Sequence, residues 1–164
     1  MKNLSIITLA LLSLMTIACS KDTKSDKMTN TEILTAHKWK ITDEYMERYL
    51  VSNDSLLSVS QYFALMKDCV KDDELIFFNE GQVLYDLNEF CTEMEPSSTS
   101  GLWYLDEEDN TLYFEFDDFE PVMANREFDV VELTEDRILI STLKSETEVR
   151  HIWFLEYSKV EELE

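Results

Sequence analysis

The chain has 164 residues, a formal net charge of −21 and 12% aromatic residues. This length allows one domain with a hydrophobic core, and the aromatic content argues against a disordered acidic tail. The acidic charge excludes a nucleic-acid partner, because phosphates would be repelled. The presence of only two glycines excludes a glycine-rich phosphate loop.

Residues 1–18 have the layout of a secretory signal peptide. Lys2 precedes an almost unbroken apolar run that ends at Ala18, and Cys19 follows it directly. The run is too short to cross a bilayer comfortably as a helix. The segment resembles the lipobox of bacterial lipoproteins, in which this cysteine is acylated; the alternative is an ordinary signal peptide with a chance cysteine. We therefore expect a lipoprotein held through Cys19 in the bacterial cell envelope, at the outer membrane, on either its periplasmic face or the cell surface.

Residues 19–31 are polar and show no apolar periodicity. Such a segment has little to bury and predicts a flexible tether. The folded domain is accordingly expected to cover residues 32–164.

From residue 38 onward the chain alternates apolar and polar residues, which is typical of half-buried β-strands. Short polar turns separate the strands, and Gly81 can adopt a positive φ in the turn "NEG". This regular spacing favours an antiparallel barrel or sandwich over βαβ units. The eight predicted strands lie within residues 38–51, 73–79, 81–87, 101–106, 111–116, 126–133, 137–143 and 148–158.

Residues 54–70 break the alternating pattern. Val59, Phe63, Met66 and Val70 are spaced as on one face of a helix. We therefore expect a short helix between the first two strands of the barrel. It could serve as a lid over a pocket or as a plug that buries one end, and the plug is the favoured interpretation.

The interior of an eight-stranded barrel is either filled by side chains or holds one small ligand. Several aromatic residues occupy positions that alternation directs inward. They suit a flat apolar ligand, but a packed core has the same composition. The candidate ligand-binding residues are Trp39, Phe77, Tyr85, Trp103, Phe114 and Trp153.

Motifs for catalysis or metal binding are lacking. The two histidines, His37 and His151, are far apart, and no zinc-type cysteine pair or nucleophile elbow occurs. The acidic clusters fall in turns without the glycine of a calcium loop. We therefore expect no enzymatic activity, no cofactor and no metal.

Two cysteines remain beside Cys19, namely Cys69 and Cys91. A pair of cysteines in an exported domain normally forms a disulfide. The hairpin between them would bring both to the same end of the barrel, so a Cys69–Cys91 disulfide is expected. Two free thiols or a metal pair are the alternatives.

Five segments of the chain carry a resemblance: "LTAHKWKIT", "CVKDDELIFFNEGQ", "NEFCTE", "SGLWYLDEEDNTLYF" and "VVELTEDRILIS". Together they resemble the lipocalin-like domain family of secreted and lipid-anchored bacterial proteins. The likeness covers roughly residues 31–157. It implies an all-β, eight-stranded antiparallel up-and-down barrel, and the family name implies binding of a small molecule.

Two functions remain open from the sequence. The first is a lipid-anchored barrel that binds a small apolar ligand inside. The second is a filled barrel without a small ligand that acts as an accessory or inhibitor lipoprotein on an unknown envelope protein. The volume of the interior distinguishes them.

Overall fold

The computed structural model describes residues 27–88, 98–116, 126–145 and 147–160. Within them lie nine strands, two short helices and one 3₁₀ turn at Phe63–Leu65. The helices are α1 (Asn30–Ala36) and α2 (Asp68–Lys71). The strands are β1 (Lys38–Leu50), β2 (Ser55–Gln61), β3 (Glu74–Phe77), β4 (Gln82–Asp86), β5 (Ser98–Asp106), β6 (Thr111–Phe116), β7 (Arg126–Leu133), β8 (Arg137–Ser145) and β9 (Val149–Lys159).

Eight of these strands form a closed antiparallel barrel. β3 to β9 pair with their neighbours in chain order, and β1 pairs with both β3 and β9 to close the cylinder. The predicted fold class is therefore confirmed, and each of the eight predicted strands is present. The turn before β4 contains Gly81 with a φ of +79°, as its position in the sequence predicted.

The helix predicted over residues 54–70 is wrong for its first half. Residues 55–61 form β2, which pairs antiparallel with the second half of β1, from Tyr45 to Leu50. Pairing with a long neighbouring strand outweighs a weak helical stripe, because β-structure depends strongly on tertiary context. The expected helix is reduced to the four residues of α2, while Phe63 and Met66 pack against the core.

Helix α1 packs its apolar residues against the barrel interior. Thr29 and Glu32 form a capping box that satisfies backbone donors of the first turn. Ile33 and Leu34 are buried, and the Nε1–H of Trp39 donates to the carbonyl oxygen of Leu34 at 2.8 Å. These contacts attach the segment before β1 to the apolar end of the barrel.

The core contains inward-facing residues from all eight barrel strands. Its aromatic rings contact one another, with Phe114 touching Phe77, Phe116 and Phe128. Gly101 lies opposite Phe116 in the ladder, and a Cβ there would come within 2.6 Å of the Phe116 ring. The ring therefore covers the bare glycine backbone.

Candidate functional site

The barrel interior has an apolar half and a polar half. In the apolar half, next to α1, the inward residues are large and fully buried. In the polar half, at the opposite end, the inward residues are mostly polar or charged. The apolar half includes Trp39, Leu75, Phe77, Trp103, Leu112, Phe128, Ile138 and Tyr157. The polar half includes Glu44, Arg48, Arg126, Thr142, Lys144, His151 and Trp153.

A cleft of about 900 Å³ opens into the polar half. It lies where β7 and β8 separate, since these strands pair only as far as Asp129 and Ser141. Arg126 and Lys144 extend beyond that pair and line the cleft from its two sides. The volume is within the range of small-molecule sites, about 300–1,000 Å³.

One wall of the cleft carries an aromatic pair. Trp153 lines the cleft, and its ring lies 4.7 Å from the ring of Tyr62, centroid to centroid. Trp153 is opposite Met46 in the β1–β9 ladder, so an apolar side chain flanks the indole on that side. An indole that is only partly buried offers a face for a flat or apolar group.

Glu44 lies at the boundary between the two halves. Only 5% of this residue is exposed, and it lines the cleft. Burial, and to a lesser extent the nearby Asp43 carboxylate, raises the pKa of Glu44 above its ordinary value. Tyr157 is the next inward position of β9 towards the apolar half. Burial and the charge of Glu44 raise the pKa of the Tyr157 phenol. The site thus contains a carboxyl that folding favours in the protonated form.

Basic side chains form a row across the polar half. Arg48 of β1 is directly opposite His151 of β9, which is directly opposite Lys144 of β8. All three are on the same face as the core residues Leu155 and Ile140, because alternation keeps their side chains inside the barrel. Arg126 lies across the cleft from Lys144. We call Arg48, His151, Lys144 and Arg126 the basic row.

Four of the six predicted ligand-binding residues pack in the apolar half. Trp39, Phe77, Trp103 and Phe114 are each no more than 8% exposed. The indole Nε1–H of Trp103 donates to the carbonyl oxygen of Phe78 at 3.0 Å. Only Trp153 of the six lines the cleft.

Tyr85 is on the opposite wall and has a structural partner. Its hydroxyl donates to Oδ2 of the buried Asp73 at 2.9 Å. Burial is the main cause that raises the pKa of Tyr85. This hydrogen bond ties β4 to the segment just before β3.

The sequence reading missed the basic row. The sequence pattern did contain a signal for this row, because Arg48, Lys144 and His151 occupy inward positions in alternating strands. The bulge between Ile41 and Asp43 hid it for Arg48, since the extra residue reverses which positions face inward. Trp39 and Arg48 are nine positions apart, so strict alternation would place them on opposite faces.

Cys69 of α2 is disulfide-bonded. Cys91 lies outside the described residues, as does Cys19, so the Cys69–Cys91 pairing stays a prediction. Among the described residues, no three histidine, cysteine or acidic side chains come together as a metal site. No helix in the described part of the chain has the length and apolar character needed to cross a membrane.

Comparison with known proteins yields a structural neighbour. A DUF4847 family protein from Bacteroides vulgatus has a similar structure, with a TM-score of 0.47 at 14% identity, over 77% of this chain and 96% of that chain. No family model matches the sequence, and neither does any curated protein. The lipocalin-like family therefore stays a resemblance, and what is established is the eight-stranded barrel.

Proposed function

We propose that this protein is a lipid-anchored barrel that binds a small amphipathic molecule in the cleft of the polar half. The observation that carries the proposal is the cleft of about 900 Å³. It has an aromatic wall at Trp153, and its other lining residues are mostly polar or charged, so it matches a ligand with a polar part as well as an apolar one.

The packing of the apolar half moves the proposed site away from the barrel centre. The aromatic residues there contact each other, and a ligand could enter only by displacing them. The cleft instead combines the Trp153–Tyr62 pair with charged side chains. A ligand with one flat or apolar part and one polar part matches both surfaces.

The lipid anchor completes the proposal. Acylation of Cys19 would hold the barrel at the outer membrane of the cell envelope, with residues 20–28 as the connection to the domain. The proposal assigns the protein a binding role without catalysis. Its membrane partner would be contacted through the acyl chains alone.

Native mass spectrometry of the protein purified from its own host tests the proposal. We expect a co-purifying small mass that is lost in Trp153→Ala and retained in Tyr104→Ala. Tyr104 is a matched control because this aromatic residue is 60% exposed on the outside of the barrel. A wild-type protein with no bound mass, and no thermal stabilisation by any member of an amphiphile library, would contradict the proposal.

A second candidate function is favoured by an apolar surface on the outside of β5 and β6. Leu102 and Tyr104 are 55% and 60% exposed, and the Tyr104 ring contacts Tyr113. Such a surface suits an envelope protein as partner. Co-purification of one protein, lost in Tyr104→Ser and unaffected by Trp153→Ala, would favour this function over ligand binding.

A further inference from the structure

Two arginines on the outside of the barrel are ion-paired, whereas the members of the basic row are not. On the outside, Arg137 bonds to Glu132 at 2.6 Å and to Glu156 at 2.8 Å, and Arg150 pairs with Asp54. By contrast, the members of the basic row form no ion pair with any described residue. Arg126 and Lys144 are exposed at the mouth, but Arg48 is half-buried. In a chain with 35 acidic residues against 14 lysines and arginines, a half-buried arginine without an ion pair among the described residues requires an explanation.

The register places the two permanent cations of the row on one inner surface. Side chains directly opposite each other on neighbouring strands have Cβ atoms about 4.5–5.5 Å apart. His151 is directly opposite both Arg48 and Lys144, so these two cations are two strands apart with the imidazole between them. An anion held between the strands would be attracted by both cations.

Two nitrogen atoms of the row are buried without a partner. Neither Nε of Arg48 nor Nε2 of His151 has a hydrogen-bond partner among the residues that the structure describes. An unsatisfied buried donor or acceptor is unfavourable, because it has given up its hydrogen bonds to water without a replacement. Both residues occupy inward positions of the polar half, so an oxyanion bound between the strands would find donors on the guanidinium of Arg48.

The acidic groups near the cleft do not neutralise the row. Glu127 and Asp129 line the cleft from β7, but both are exposed and on the outward face. Glu44 is two inward positions deeper than Arg48 and opposite Leu155, so it is not a direct ladder neighbour of the row. Arg48 and Lys144 therefore present two positive charges to this part of the inner surface.

We propose that the basic row binds the oxyanion of the amphipathic ligand, a carboxylate, sulfonate or phosphate group, while Trp153 contacts its apolar part. This inference rests on the proposed function and specifies the ligand class. Arginine presents several donors in a plane that matches an oxyanion, and Lys144 and Arg126 at the mouth add charge. The negative net charge of the whole chain would repel an anionic ligand. Binding would therefore depend on the local positive charges of the row.

A pair of fluorescent probes with the same ring system tests the inference. 8-Anilinonaphthalene-1-sulfonate carries an oxyanion, and N-phenyl-1-naphthylamine is its uncharged counterpart. We expect the full-length protein to bind the sulfonate about tenfold more tightly than the amine, as for one charge-assisted contact. Both probes should lose affinity in Trp153→Ala.

Variants of the row separate charge recognition from folding. Arg48→Gln should abolish the preference for the sulfonate and leave the affinity for the amine unchanged. Lys144→Gln, at the exposed mouth, should reduce the preference without any effect on the circular dichroism spectrum or melting temperature. Lys40→Gln is the matched control, since it removes one charge from the outer face of β1 and should leave both affinities unchanged.

The outcomes distinguish the two proposals. If wild type binds both probes with equal affinity and Trp153→Ala loses affinity for both, the oxyanion inference is overturned and the ligand-binding proposal stays in place. A preference for the sulfonate that survives Arg48→Gln and Lys144→Gln would also overturn the inference. If neither probe binds, both proposals fail.

Discussion

Trp39 and Trp153 lie on neighbouring strands and both face the barrel interior, but their surroundings differ. Trp39 is fully buried, and its indole N–H is bonded to the carbonyl of Leu34. Trp153 is partly exposed, contacts the Tyr62 ring at a tilt and lines the cleft. The same residue type therefore serves as core in the apolar half and as a binding surface in the polar half.

The difference between the halves follows from strand length. β1 and β9 have 13 and 11 residues, whereas β3 and β4 have 4 and 5. Near α1 the inward side chains of all eight barrel strands meet in one core and exclude water. β3 and β4 end before they reach the other end of the barrel. The inward positions of β1, β8 and β9 at that end therefore have no residue of β3 or β4 to pack against. Polar residues are tolerated there because water or a ligand can reach them.

The largest expected effect comes from removing one aromatic side chain from each half. Phe128→Ala should lower the free energy of unfolding by about 3–5 kcal/mol, because Phe128 is 0% exposed and its loss leaves a cavity. Trp153→Ala should cost only about 1–2 kcal/mol, since it loses one ring contact at a partly wet site. Urea denaturation of both variants measures the difference. Equal losses would mean that Trp153 is core as well and that the two halves do not differ.

A smaller effect is expected from adding a methyl group to the apolar half. Gly101→Ala should destabilise by about 1–3 kcal/mol because the new Cβ collides with the Phe116 ring and with backbone. Ser100→Ala is the control, since Ser100 is the next residue of β5 and is exposed. Thermal unfolding followed by circular dichroism should separate the two variants. A neutral Gly101→Ala would show that this part of the barrel has room to adjust.

The smallest effect concerns the protonation of Glu44 at the boundary. Burial raises its pKa above 4.5, so the folded protein holds a proton that the unfolded chain releases. The stability contributed by this group is therefore present at low pH and is lost as pH rises through the raised pKa. Glu44→Gln should melt at a higher temperature than wild type at pH 7, with the difference vanishing below about pH 4.

Melting curves between pH 3.5 and 8 measure this effect. Glu107→Gln is the control because Glu107 is exposed in the turn between β5 and β6. We expect Glu107→Gln to change the melting temperature only slightly, and by the same amount at every pH. A Glu44→Gln variant that is less stable than wild type at pH 7 would show that the ionised carboxylate is stabilised in the cleft.

Much of the barrel could be read from the sequence, and the errors are informative. The eight barrel strands follow from alternation, and Gly81 marks a hairpin by its tolerance of positive φ. β2 was mistaken for a helix because "SLLSVSQ" alternates weakly and its partner, the second half of β1, is recognised only once β1 is known to be long. Five of the six aromatic residues proposed to bind a ligand lie elsewhere than in the cleft, since alternation indicates inward orientation but not what fills the space.

The sequence by itself determined the all-β class, the order and number of the barrel strands, and an apolar interior. These properties depend on local alternation and turn residues, which act over a few positions. Only the tertiary structure decided that β7 and β8 separate, that a bulge turns Arg48 inward, and that three basic residues from different strands meet in one row. Such features depend on register between strands distant in the chain, and no local pattern encodes that register.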